Sequence, residues 1–254
     1  TAQFGALSTG DIAAIETADI VGLKTAIIAA LKTAQLAALT TDQLSNLTTS
    51  QIAAITTANI QALTTDQVVA LSSLQIGTLS SAQVAAMSTL DIASIETADI
   101  GSLKTAAIAA LSVNQAKALT TDQIVALGSA QVGALTSAQV AGMSSGQIAA
   151  IETNDIGALK TVAIAALTTN QVNALSTDQI QSLGTAQFAA MTTANLASGL
   201  TTDQIVAMSS AQFGALNTAQ FNALSTGDIA AIETADIVGL KTAIIAALKT
   251  AQLA

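Results

Sequence analysis

The chain contains no cysteine, histidine, proline, tryptophan, tyrosine or arginine. Without cysteine or histidine there is no thiolate nucleophile, imidazole base, zinc site of the usual kind, disulfide framework or axial haem ligand. Seven lysines face sixteen acidic residues, a formal charge of -9, which excludes the clustered positive charge that phosphate contacts need. No nucleic-acid partner is expected. Mean hydropathy is high at +0.61, yet Thr, Gln, Asp or Lys interrupts the chain every eight residues. No stretch therefore reaches the ~18 apolar residues of a membrane span. An enzyme would have to work with carboxylates, lysines and hydroxyls alone. A glycoside-cleaving carboxylate pair needs a cleft with two distinct environments, which a uniform surface does not supply. The expectation is no catalytic residue, no cofactor and no metal.

What is present is repetition, the feature to look for before any domain count. From Ser8 the chain of 254 residues runs in consecutive octads: STGDIAAI, ETADIVGL, KTAIIAAL, KTAQLAAL, TTDQLSNL, and onward to KTAIIAAL at 241–248. One unit breaks the count: TTANLASGL at 192–200 has nine residues, with Gly199 the extra one. The consensus is x-T/S-x-Q/D-I/V-x-A-L. Position 2 is a hydroxyl residue except at Val113, and position 5 is Ile, Val, Leu or Phe except at Ala116 in the same octad. Position 8 is Leu, Ile or Met. Phe4, Phe188, Phe213 and Phe221, with Met87, Met143, Met191 and Met208, all occupy position 5 or 8 and read as core variants, not as a cofactor box.

An eight-residue period excludes one continuous α-helix, because eight residues at 3.6 per turn advance the apolar face by roughly 80° per unit. A β-solenoid fits poorly, since alternation is weak and Ala, depleted in strands, dominates position 7. A short helix restarted in every octad fits best. Thr or Ser at position 1 with Gln at position 4 matches a capping box, and the apolar residues at position 8 of one octad and position 5 of the next match the hydrophobic staple. Position 2 is the rival cap, since its hydroxyl persists where position 1 is Glu, Lys or Gly. Such helices lie far below the ~12–15 residues needed for independent stability, so neighbouring units must bury their Ile and Leu. The predicted fold is an all-α repeat solenoid of very short helices, with Ile and Leu inside and positions 1, 3 and 6 largely outside.

Longer periods add to this. Residues 88–143 align with 144–199 over seven octads, whereas ten octads separate the segments that start at Ser8 and Ser144 from the next return of the acidic unit. The difference of three octads implies three short helices per coil and a roughly triangular section; the competing explanation is that 24 residues records only how the gene duplicated. Residues 8–37 and 225–254 are identical, an offset of 217 residues. The whole of 1–254 thus reads as one continuous solenoid and a window on a longer tandem array.

The charged residues recur with the acidic octads. Glu16, Glu96, Glu152 and Glu233 stand at position 1 of one octad, and Lys24, Lys104, Lys160 and Lys241 at position 1 of the next. They are candidate ion pairs along or between solenoids, against the alternative of solvated surface charges of about 0–1 kcal/mol. Asp11 with Asp19 and Asp91 with Asp99 raise the question of calcium, which takes six to eight oxygens, usually from a loop. Each of these Asp residues stands alone at position 4, where capping and the helix dipole explain it. The dense Thr and Ser array also allows an ice-binding-type surface, without a constant Thr-x-Thr motif.

The segments LTTDQIVAL at 119–127 and LTTDQVVAL at 63–71 resemble the octad-type repeat regions of very large secreted bacterial surface proteins of adhesin-like or filament-like kind. The likeness extends over essentially the whole chain. It implies an extracellular or cell-surface, structural or adhesive protein. The LTxxQ motif of periplasmic helical chaperones is superficially similar, but those proteins have long helices and basic residues. The expected function is a segment of an extracellular fibre, stalk or sheath that self-associates or stacks on neighbouring repeats of the same chain. The alternative is an adhesin or ice-binding recognition surface displayed on a secreted solenoid.

Overall fold

In the computed structural model, residues 2–248 are described; residues 249–254, which end the second copy of the 30-residue identity, lie outside them. The described residues form thirty α-helices of four to six residues and one 3-10 helix, with no strand. Two compact units divide the chain at an octad boundary, residues 1–127 and 128–254.

From Thr9 onward each α-helix begins one residue after position 1 and ends at position 5, 6 or 7. Position 1 is the N-cap and lies in extended backbone, as in Thr40 at φ -70°, ψ 159°. The next helix is reached through position 8, also extended where the helix is longest, as in Ile55 at φ -64°, ψ 128°. At these corners two extended residues therefore turn the chain. No described residue has a positive φ or a cis peptide bond, so Leu and Thr can form these corners without glycine or proline. That accounts for a tightly wound chain with no proline.

The caps answer the question of position 1 against position 2. Thr40 Oγ1 accepts from the Gln43 N–H at 3.1 Å, and Gln43 Oε1 accepts from the Thr40 N–H at 2.8 Å. The same reciprocal pair recurs at Thr64 with Gln67, Thr120 with Gln123 and Thr168 with Gln171. In SVNQAKAL the cap is Ser112 with Gln115. Val113 is tolerated at position 2 because that position faces outward and carries no cap.

Within each unit the helices pack on the third one after them. In the first unit one column runs through helices Thr9–Ala13, Thr33–Ala37, Thr57–Ile60, Ser81–Ala86 and Thr105–Ala110. In the second unit Ser129–Val132, Thr153–Ile156, Thr177–Ser182, Thr202–Ala207 and Thr226–Ala231 form another. A coil is therefore three octads, as the three-octad insertions imply. Positions 5 and 8 are buried through the stacks, including Phe188, Phe213, Phe221 and all four methionines, whereas positions 1, 3 and 6 are mostly exposed. Burying an Ile or Leu contributes about 1.5–3 kcal/mol each, and this holds together helices that would not form alone.

The nine-residue unit is absorbed at one corner. Gly199 continues past the helix Thr193–Ser198 with its N–H on the Asn195 carbonyl at 2.8 Å, and Leu200 N–H reaches the same oxygen at 3.1 Å. Beyond it Gln204 bonds carbonyls 32 and 29 residues earlier, where Gln43 bonds those 31 and 28 earlier. The conserved unit of the fold is the coil and not the residue count.

Candidate functional site

The polar feature common to the stacks is the seam between successive coils. Gln at position 4 is buried almost everywhere, although the capping box accounts for only half of its amide. The other half crosses to the coil before. Gln43 Nε2 donates to the Ile12 carbonyl at 3.0 Å and the Ile15 carbonyl at 2.7 Å. Gln51 makes the same bonds to Ile20 and Leu23 at 2.9 and 2.8 Å, and Gln75 to Leu44 and Leu47 at 3.0 and 2.8 Å. In the second unit Gln171 donates to Val140 and Met143, each at 2.7 Å. One side chain therefore closes its own helix N-terminus and ties that helix to the carbonyls of positions 5 and 8 one coil away. Each such bond contributes about 0.5–1.5 kcal/mol net, and an unmet buried group costs about 1–3 kcal/mol.

This second role is not visible in the capping pattern, but a signal for it exists. Glu caps as well as Gln, since both offer a side-chain oxygen. Yet Glu never stands at position 4, which is Gln, Asn, Asp, Ala or Ile. Only the amides can both accept from the cap and donate across the seam. Asn59 and Asn195 show the shorter version, donating to the Leu31 and Leu167 carbonyls at 2.7 and 3.0 Å.

The acidic octads replace this tie. Asp99 accepts from the Ser73 hydroxyl and Asp155 from the Ser129 hydroxyl, each at position 2 of the octad one coil earlier. Gly77 and Gly133, at position 6 of those earlier octads, pack against the next coil: a Cβ there would stand 3.1 Å from the carbonyl oxygens of Ser102 and Ala158, and Gly101 and Gly157 are as close to Ala126 and Ser182 in glutamine octads. The octad before Glu233 by one coil, SSAQFGAL, has the same Ser and Gly.

All eight charged candidates, Glu16, Lys24, Glu96, Lys104, Glu152, Lys160, Glu233 and Lys241, are exposed N-caps or, for Glu233, the corresponding position 1. None of the seven N-caps makes a side-chain capping bond. A Glu and its following Lys begin consecutive octads and so stand at successive corners of a coil. Lys104 Nζ donates to the Thr78 carbonyl and Lys241 Nζ to the Leu216 carbonyl, each at 3.3 Å and one coil earlier. These lysines supply a donor to the seam in octads whose position 4 is Ala107 or Ile244.

Among the carboxylates, Asp11 is exposed and bonded to Ser8, whose hydroxyl and N–H donate to Oδ2 at 2.8 and 2.9 Å. The hydroxyl first and the N–H second hold its pKa below the usual aspartate value. Asp91 accepts from the Ser88 N–H at 2.9 Å. Among the described residues no group of three or more acidic side chains could hold a metal ion. A shallow recess of about 550 Å³ lies beside Glu96, Thr97, Thr120, Asp122 and Gln123, with two carboxylates on open surface. No described helix is long and apolar enough to cross a membrane.

The family described as the ALTTAQ repeat matches this chain at residues 12–49, 43–73, 52–89, 92–129, 124–150, 148–185, 198–226 and 229–254. Its six letters correspond to positions 7 and 8 of one octad and 1 to 4 of the next, the corner and the capping box. No curated protein matches the chain. Among solved structures it is similar to the leucine-rich repeat-containing protein LegL7 from Legionella pneumophila, at 12% identity over 89% of this chain and 79% of that one. The TM-score is 0.18, and a likeness of that size carries no argument.

Proposed function

Because the chain belongs to the ALTTAQ repeat family, and coil after coil offers the next the same row of carbonyls, we propose that it is a non-catalytic structural protein. It is a segment of an extracellular fibre, stalk or sheath at a bacterial surface, lengthened by adding coils. The observation that carries this reading is the glutamine seam, in which Gln43, Gln51, Gln75 and their equivalents repeat one bonding scheme. A stack tied in this way resists sliding, because each amide has one row of acceptors in reach, and resists separation through its apolar core. The 217-residue spacing of the identical segments contains 26 octads and the nine-residue unit, 27 units in all and a whole number of three-unit coils. Repeats of that length add to a stack without changing its phase.

The exposed Glu and Lys corners are the side chains through which such stacks would contact copies of themselves. Within the first unit Glu16 and Glu96 are ten octads apart, one octad more than three coils, so successive charged corners fall on different sides. That arrangement suits contact with several neighbours. The bacterial and extracellular setting rests on the likeness of LTTDQIVAL to surface-protein octads. Electron microscopy of the native material tests the reading: filaments or stalks of uniform width support it, and compact discrete particles discard it.

A further inference from the structure

We propose that residues 88–111 form a yielding joint, the seam at which the first unit's stack opens first. The coils on either side are tied by glutamine. Gln67, Gln75 and Gln83 donate to the position 8 carbonyls of Leu39, Leu47 and Ile55, and Gln115 and Gln123 to those of Met87 and Ile95. In the three octads between them position 4 is Asp91, Asp99 and Ala107. An ionised carboxylate has no hydrogen to donate and a methyl group has neither donor nor acceptor. The carbonyls of Leu63, Leu71 and Leu79, which the pattern places beneath these residues, accordingly receive no side-chain donor among the described residues.

Two replacement bonds cross this seam. The Ser73 hydroxyl donates to Asp99, and Lys104 Nζ donates to the Thr78 carbonyl at 3.3 Å on the exposed rim. Water competes for the second. Apolar packing is intact, with Ile92, Ile100 and Ile108 fully buried, so the joint is closed at rest. What it lacks is the directional tie that fixes one coil's register on the next. The joint exists whether or not the chain belongs to a fibre. In a fibre it would let load be released one coil boundary at a time instead of by unfolding of the whole stack.

The test uses the whole chain and two variants, Asp91→Gln alone and Asp91→Gln/Asp99→Gln/Ala107→Gln, followed by hydrogen–deuterium exchange and limited proteolysis. The triple variant restores the donors, and exchange of amides in 64–111 is expected to slow by about tenfold or more, the effect of one good hydrogen bond, with little change in 32–55. Asp91→Gln, whose preceding-coil octad has Val69 and not glycine at position 6, gives a smaller change in the same direction. Proteolysis of the unmodified chain is expected to give its first internal cut in the first unit within 64–111. Unchanged exchange in variants that retain their helical circular dichroism overturns the proposal. So does a first internal cut elsewhere in that unit, and this second readout decides if the triple variant fails to fold.

Discussion

Residues 8–31 and 225–248 have the same sequence and do not have the same structure. In the first segment Ile12, Ile20 and Ile28 at position 5 are buried while Asp11 and Asp19 at position 4 are exposed. In the second the pattern reverses. Asp228 and Ile244 at position 4 are buried, whereas Ile237 and Ile245 at position 5 are 47% and 49% exposed. Even the local helix differs: Thr17–Ile20 is α-helical, whereas the matching residues 234–237 form a turn that leads into the 3-10 helix Ile237–Gly239. The difference lies in the neighbours. Residues 8–31 are covered by the coil that follows, residues 225–248 by the coil that precedes. An octad therefore has two separate faces, with position 4 turned to the previous coil and position 5 to the next.

The largest expected effect that would break this comparison comes from a charge at position 5. Ile20→Asp puts a carboxylate into a fully buried site and is expected to cost over about 4 kcal/mol, unfolding the first coils. Ile237→Asp, at the matching residue, is expected to stay within about 0.5 kcal/mol, as for an exposed site. Local hydrogen exchange around each site measures both, and equal effects would refute the two-face description.

Removing the tie gives a middle-sized effect. Gln43→Ala is expected to destabilise the first unit by about 2 kcal/mol, since it strips the Thr40 N–H and the Ile12 and Ile15 carbonyls of their partner. Gln43→Glu keeps the cap oxygen and loses the donor, so a similar loss would assign the energy to the seam and a negligible one to the cap alone. The converse change sharpens the comparison. Asp228→Gln is expected to stabilise its coil by about 1 kcal/mol, while Asp11→Gln, with Asp11 in solvent, gains nothing. Denaturant titration of the two single variants distinguishes these outcomes.

The smallest effect is a titration. Ser8 holds the native Asp11 carboxyl below its ordinary pKa. A depressed native value stabilises the fold above the unfolded-state pKa, and that contribution is lost as pH falls through the native one. Ser8→Ala removes the hydroxyl and keeps the backbone N–H, so it is expected to raise the Asp11 midpoint part of the way toward the ordinary aspartate range, read by carboxyl carbon chemical shift. A midpoint unmoved by the substitution would show that the hydroxyl is not the cause.

Much of the fold was legible in the residues because its signals are short-ranged. Ser112 with Gln115 and Thr120 with Gln123 are capping boxes three residues long, and they mark helix starts without reference to anything distant. The burial of Phe188 and Met143 follows from their places in the octad. The insertions of three octads pointed to the coil, and the stacking of Thr33–Ala37 on Thr9–Ala13 bears that out. The candidate site was less legible. The Glu and Lys residues stand out in the sequence as the rare charges, whereas the working polar group, the buried glutamine, is the commonplace one. Its donors reach carbonyls about thirty residues away, and only the absence of Glu from position 4 hinted at them. Gly77 and Gly133 were likewise silent until Ser102 and Ala158 were found opposite them.

The amino-acid sequence by itself determined where each helix begins, which residues are apolar, and that no octad could stand alone, because caps and staples act over three to five residues. The tertiary structure alone decided which face of an octad is covered, what the second half of each glutamine amide does, and where ties are missing. Those properties belong to pairs of coils. An Ile at position 5 carries no information about whether another coil lies above it, and the two copies of STGDIAAIETADIVGLKTAIIAAL differ for that reason.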